Sequence, residues 1–132
     1  MNHDFKAIVQ FLVKKLNPYV IYLFGSQAQQ QARQDSDIDL AFLSEQTLSH
    51  YERFMIAEEL AAMLNCDVDL IDLKEATTVF QAQVVGNGKV LYCADDHKKA
   101  RFEMKVLKEY AKLNEERAGI LEQIQKRGAV YE

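Results

Sequence analysis

Two short segments, Asp37–Leu43 (DIDLAFL) and Asp67–Leu73 (DVDLIDL), set acids and apolar residues in alternation. An extended chain sends successive side chains to opposite faces, so a period of two predicts β-strands with their acids gathered on one face. In the first segment Asp37 and Asp39 share a face, with Cβ atoms ~6–7 Å apart from the rise per residue. The rest of that segment is apolar, as in a central strand whose first end reaches solvent or a site. In the second, Asp67 and Asp69 share one face and Asp72 takes the other. A sheet with carboxylates massed at one end has to meet their mutual repulsion.

The other elements follow from period and punctuation. Phe5, Ile8, Val9, Leu12, Val13 and Leu16 recur at helical spacing until Asn17-Pro18, where proline stops the helix. Tyr19–Phe24 is a β-branched and aromatic run that enters a turn at Gly25-Ser26. Ser49–Asn65 predicts the clearest helix, with Ser49 and Glu52 spaced as a capping box. Ala76–Val85 predicts a short helix against the β-branching of Thr77, Thr78 and Val79, and Gly86-Asn87-Gly88 leads into a fourth strand, Lys89–Cys93. From Asp95 onward one long helix is expected, with acids first and bases near its end. Its outer half has no obvious partner within so small a core, so either an oligomer or partner interface or simple back-packing covers it.

A chain of 132 residues fits one domain, and 48% hydrophobic residues suffice for a packed core. The net charge of −4 argues against duplex nucleic acid as the main partner. Apolar runs such as Val20–Phe24 fall far short of the ~20 residues that span a bilayer, and no signal peptide is visible. Cys66 and Cys93 stand apart, without metal-ligand spacing, as reduced residues of a cytoplasmic protein do. His3, His50 and His97 are scattered and receive no role.

The acids carry the chemistry. Asp37 and Asp39 held together call for a cation, and their hard oxygen donors suit Mg²⁺, which keeps positions open for water and phosphate. A third carboxylate beside them can bind a catalytic metal and draw the proton from an attacking hydroxyl. Asp69, flanked by Val68 and Leu70, is the favoured candidate and Asp72 the second. Gly25 lets the backbone approach phosphate closely, and Ser26 adds a hydroxyl donor. The Walker A pattern and the GxGxxG fingerprint are both absent.

Phe24-Gly25-Ser26, ten further residues and Asp37-Ile38-Asp39 resemble the GS-x10-DxD signature of the polymerase-β-like nucleotidyltransferase superfamily. The context ARQDSDIDLAF and the later VDLIDL are similar to minimal nucleotidyltransferase (MNT) domains, and among them to antitoxins of the MntA type. The resemblance implies an α/β (α+β) fold, a mixed sheet of about four strands flanked by helices, with a nucleotidyltransferase domain at 1–95 and a helical extension at 96–132. It implies AMP transfer from ATP, with two Mg²⁺ ions, to a hydroxyl, that of a tyrosine, on a cognate HEPN-domain ribonuclease toxin of the HepT type, in a hetero-oligomer. Gly25, Ser26 and Arg33 would hold the nucleotide, Asp37 and Asp39 both metals, and Asp69 the catalytic metal and acceptor. Where many relatives have a base just after GS, this chain has Gln27, Gln29, Gln30 and Gln31, which leaves phosphate neutralisation to Arg33 or Lys89. The competing readings are a binding antitoxin that occludes its toxin through the long helix, and a transferase for small molecules of the aminoglycoside kind. The latter usually needs a further domain to hold its acceptor.

Overall fold

The structure, a computed structural model, describes residues 5–25 and 37–131, with side chains as far as Ile124. Its elements in chain order are α1 (Phe5–Leu16), β1 (Val20–Phe24), β2 (Ile38–Leu43), α2 (His50–Leu64), β3 (Val68–Asp72), a 3-10 turn (Leu73–Glu75), α3 (Thr78–Asn87), β4 (Lys89–Cys93) and α4 (Asp96–Tyr131). The four strands form one mixed sheet in the order β3-β2-β1-β4. β1 runs antiparallel to both β2 and β4, whereas β2 and β3 are parallel. Parallel neighbours need a crossover, and α2 supplies it.

Alternation along the central strands divides the interior in two. Ile21 and Leu23 of β1 and Ile38, Leu40 and Phe42 of β2 pack with Ile8 and Leu12 of α1 and Ile56 and Leu60 of α2. Val20, Tyr22, Ala41 and Leu43 face the other way, toward Leu73, Val84 of α3 and Phe102 of α4. Helices therefore cover both faces of an α+β sheet, and the two middle strands read as almost continuous apolar runs because neither face is open.

The predicted stops and caps have clear local causes. α1 ends at Asn17, whose φ of 46° places it in the left-handed region just before Pro18. At the start of α2, Glu52 N–H donates to Ser49 Oγ (3.1 Å) while Ser49 N–H donates to Glu52 Oε1 (3.0 Å), closing the capping box. Two of the boundaries that differ from the sequence reading have a local cause. β3 ends at Asp72 rather than Leu73, because the Asp72 carboxylate accepts from Lys74 N–H (3.3 Å) and caps the 3-10 turn. α3 runs through Gly86 and Asn87, with Gly88 N–H donating to the Val84 carbonyl at 2.8 Å. Glycine in an exposed last turn costs only ~1 kcal/mol against alanine, which that closing bond and the Thr77 cap help to offset.

The 36 residues of α4 extend over roughly 54 Å. Its inner half is tied down by buried Val106, by Tyr22 Oη donating to Glu103 Oε2 (2.7 Å) and by the Lys99–Glu103 ion pair (3.2 Å). From Asn114 to Ile124 every residue is exposed, including Ile120, Leu121 and Ile124. Among the described residues no helix is long and apolar enough to cross a membrane.

Candidate active site

β2 and β3 start level, with Ile38 opposite Val68 and the Ile38 N–H donating to the Asp67 carbonyl (3.0 Å). One residue on, Asp39 stands opposite Asp69. Paired positions in adjacent strands share a face, so the two carboxylates rise side by side on the face that carries Ala41, Leu43 and α3. Asp37 precedes β2 by one residue. Burial pushes the Asp39 carboxyl above its ordinary range, and the negative charges of Asp69 and then Asp37 push it further. Burial likewise raises the Cys66 thiol, with Asp37 and Asp67 adding to the effect, so the negative potential spreads along this end of the sheet.

These acids offer only oxygen donors, the set that a hard cation such as Mg²⁺ takes. Among the described residues no three such side chains close into a ready-made metal cage.

β1 brings the glycine to the same point. Phe24 is the register partner of Asp39, and Gly25 follows with φ at +74°, a conformation that L side chains rarely adopt. A Cβ at this position would run into Asp39 Oδ2 and stand 3.2 Å from Asp39 Cγ. Glycine is thus required twice over, by its own backbone angle and by the carboxylate against it. Asp72, the second candidate for the third carboxylate, lies opposite Phe42 and pairs with Lys74 Nζ at 3.7 Å, away from Asp39. Lys89 opposes Leu23, at the end of the sheet that carries Gly25. Ser26 and Arg33, assigned to the nucleotide on sequence grounds, lie outside the described residues.

Two neighbours of the acids had no role in the sequence reading. The Phe24 and Phe80 rings meet edge to face at 5.3 Å, and a cleft of about 280 Å³ opens beside them, lined by Phe24, Gly25, Phe80, Gln83, Val84 and Asn87. The helical spacing of Phe80, Val84 and Asn87 was the available signal, although nothing local says what that stripe faces. On the outer edge of β3, Arg53 Nη1 donates to the Leu70 carbonyl at 2.8 Å. That bond joins residues 17 apart in sequence, and no local pattern announces it.

A polymerase beta nucleotidyltransferase family model matches residues 6–97. The protein adenylyltransferase MntA of Shewanella oneidensis is 40% identical over 105 residues, which span 80% of this chain and 75% of that protein. A chain in a crystal structure of a toxin–antitoxin with AMP-PNP superimposes with a TM-score of 0.83 at 35% identity, covering 93% of this chain and 99% of the other. Another, from the tri-AMPylated Shewanella oneidensis HEPN toxin in complex with MNT antitoxin, has a TM-score of 0.76 at 34% identity, over 92% of this chain and 95% of its own. Likeness at this level, over a sheet that sets Gly25 against Asp39 and Asp69, means that the chain belongs to the polymerase-β nucleotidyltransferases, in their MntA-type protein adenylyltransferase family.

Proposed function

We propose that this chain is the antitoxin of a toxin–antitoxin pair and a protein adenylyltransferase that moves AMP from ATP to a hydroxyl, that of a tyrosine, on a cognate HEPN ribonuclease toxin of the HepT type. The observation that carries the reading is the register pairing of Asp39 with Asp69 against Gly25, in a chain of MntA's family. The relative solved with AMP-PNP and the one solved with a tri-AMPylated HEPN toxin support nucleotide and partner alike.

In this reading Asp37, Asp39 and Asp69 would hold two Mg²⁺ ions. Bound there, the ions would neutralise charge on the triphosphate and acidify the attacking hydroxyl. Gly25, Ser26 and Arg33 orient the phosphates. The acceptor oxygen forms a new bond to the α-phosphorus as the bond to the departing pyrophosphate breaks, and Asp69 takes the hydroxyl proton. Residues 1–95 serve as the transferase domain. In the extension at 96–132 the inner half packs on that domain and the outer half serves as the contact with the toxin in a hetero-oligomer, a role supported by its exposed Ile120, Leu121 and Ile124. The two free cysteines are consistent with a cytoplasmic setting.

Incubation of the purified chain with Mg²⁺, ATP labelled at the α-phosphate and the co-expressed toxin tests the reading. Label is expected on the toxin, and Asp39→Ala is expected to abolish it. Label that never reaches the toxin, or that reaches it equally with Asp39→Ala, overturns the reading. Toxin neutralised just as well by Asp39→Ala as by the wild type would favour occlusion over chemistry.

A further inference from the structure

Besides the stripe that packs on the sheet, α4 carries a second apolar stripe that lies open to solvent. On the packed side Val106 is buried and Tyr110 and Leu113 are half-buried. Farther round the helix, Ala100, Met104, Leu107, Ala111, Ala118 and Leu121 are all exposed, Met104 to 71% and Leu107 to 52%. With Asn114 they recur at alternating intervals of four and three residues. That is the period of a coiled-coil seam, held here over about three heptads or ~32 Å of helix. A helix with one neighbour needs only one apolar stripe, and a second seam of this period is the surface that another helix covers.

From this seam and the charges that flank it, we infer that two copies of the chain pair through α4 as a parallel coiled coil. Met104, Ala111 and Ala118 take position a of the heptad, and Leu107, Asn114 and Leu121 take position d. In a parallel pair each g residue reaches the e residue five places on in the other copy. Asp96 then meets Arg101, Glu103 meets Lys108 and Arg117 meets Glu122, opposite in sign each time. Within one chain Arg101, Lys108, Arg117 and Glu122 have no ion-pair partner among the described residues. An antiparallel pair centred on the seam also joins opposite charges, but it sets Asn114 against Ala111 and leaves a buried amide unpaired. In parallel, the two Asn114 amides face and bond each other. The inner half of α4 is already held on the domain by Val106 and by the bond from Tyr22 to Glu103, so pairing has little new chain to order. The pairing takes Leu121 into the seam and leaves Ile120, in line with Val106 and Leu113, to the toxin. It goes beyond the transferase reading and does not rest on it.

Sedimentation velocity of the purified full-length chain without toxin, over a dilution series, reads the pairing. A mass twice the 15.2 kDa of one chain is expected at the upper concentrations. Leu107→Glu, at a position exposed in the single chain, is expected to abolish the dimer while circular dichroism shows the fold intact. Arg117→Glu and Glu122→Arg are each expected to weaken pairing about tenfold, and the two together to restore it. Ala100→Cys is expected to form a disulfide between copies, identified in the mass of the linked peptide, because antiparallel pairing would hold the two sites ~37 Å apart. A chain that stays single at every concentration overturns the inference. So does a dimer indifferent to Leu107→Glu, a double swap that fails to rescue, or the absence of a link through Ala100→Cys. A chain that is single by itself, and that loses co-elution with the toxin through Leu107→Glu, would give the seam to the toxin and remove the pairing of copies.

Discussion

Gly25 and Asp39 constrain each other so closely that each sets the other's mutational response. Gly25→Ala places a methyl group against the Asp39 carboxylate in a left-handed backbone, which by itself costs ~1–2 kcal/mol. A lower melting temperature and loss of label transfer are expected together. Asp39→Asn acts in the opposite sense on stability. The Asp39 carboxyl titrates above its ordinary value of 3.8, through burial first and then the charges of Asp69 and Asp37. Between the unfolded and the folded pKa the native state binds more protons than the unfolded chain, so stability falls as pH rises through that window and stays lower above it. In metal-free buffer at pH 7, Asp39→Asn is therefore expected to melt above the wild type, and the gap to close below the ordinary carboxylate range. The same variant is expected to transfer no label. Added Mg²⁺ is expected to raise the wild-type melting temperature more than that of Asp39→Asn, since a ligand stabilises only the state that binds it. A wild type that melts higher than Asp39→Asn in chelator would contradict this account.

At the scale of elements, β2 and β3 were legible because acids and apolar residues alternate at their starts and β1 as a β-branched and aromatic run, and the ends of α1 and α2 because proline, asparagine and the Ser49/Glu52 box act locally. The end of α3 was not. Gly86-Asn87-Gly88 has the composition of a turn, yet the helix carries on to Asn87 and only then yields to β4. Nor could the strand pattern say which carboxylates meet. Asp69 and Asp72 belong to one strand, and it is the parallel register with β2 that puts Asp69 beside Asp39 and Asp72 beside Phe42. The edge of β3 depends in turn on Arg53. Arg53→Ala is expected to cost about 1 kcal/mol, the net worth of one hydrogen bond, because the freed Leu70 carbonyl can turn to water. Since Leu70 follows Asp69, label transfer is expected to need more Mg²⁺ in this variant, with Arg53→Lys restoring part of the loss. A Mg²⁺ titration unchanged from wild type would confine Arg53 to a purely structural role.

For the whole molecule, the division of α4 into a packed and an exposed half predicts separable losses. Truncation after Asn114 removes a stretch that is exposed throughout residues 115–124, so folding stability is expected to change by less than ~0.5 kcal/mol and ATP binding to persist. Co-elution with the toxin in size-exclusion chromatography is expected to be lost. A truncated chain that still captures the toxin would place the interface elsewhere.

By itself the sequence determined the alternating strands, the proline stop of α1, the capping box of α2, the GS-x10-DxD spacing and the need for a counter-ion, since each depends on residues close together in the chain. It could not determine that β2 and β3 pair in parallel, that Gly25 is locked by Asp39, or that α3 walls a cleft next to them. Those facts join residues between 14 and 63 positions apart, and only the packing of helices on both faces of the sheet decides which of them touch.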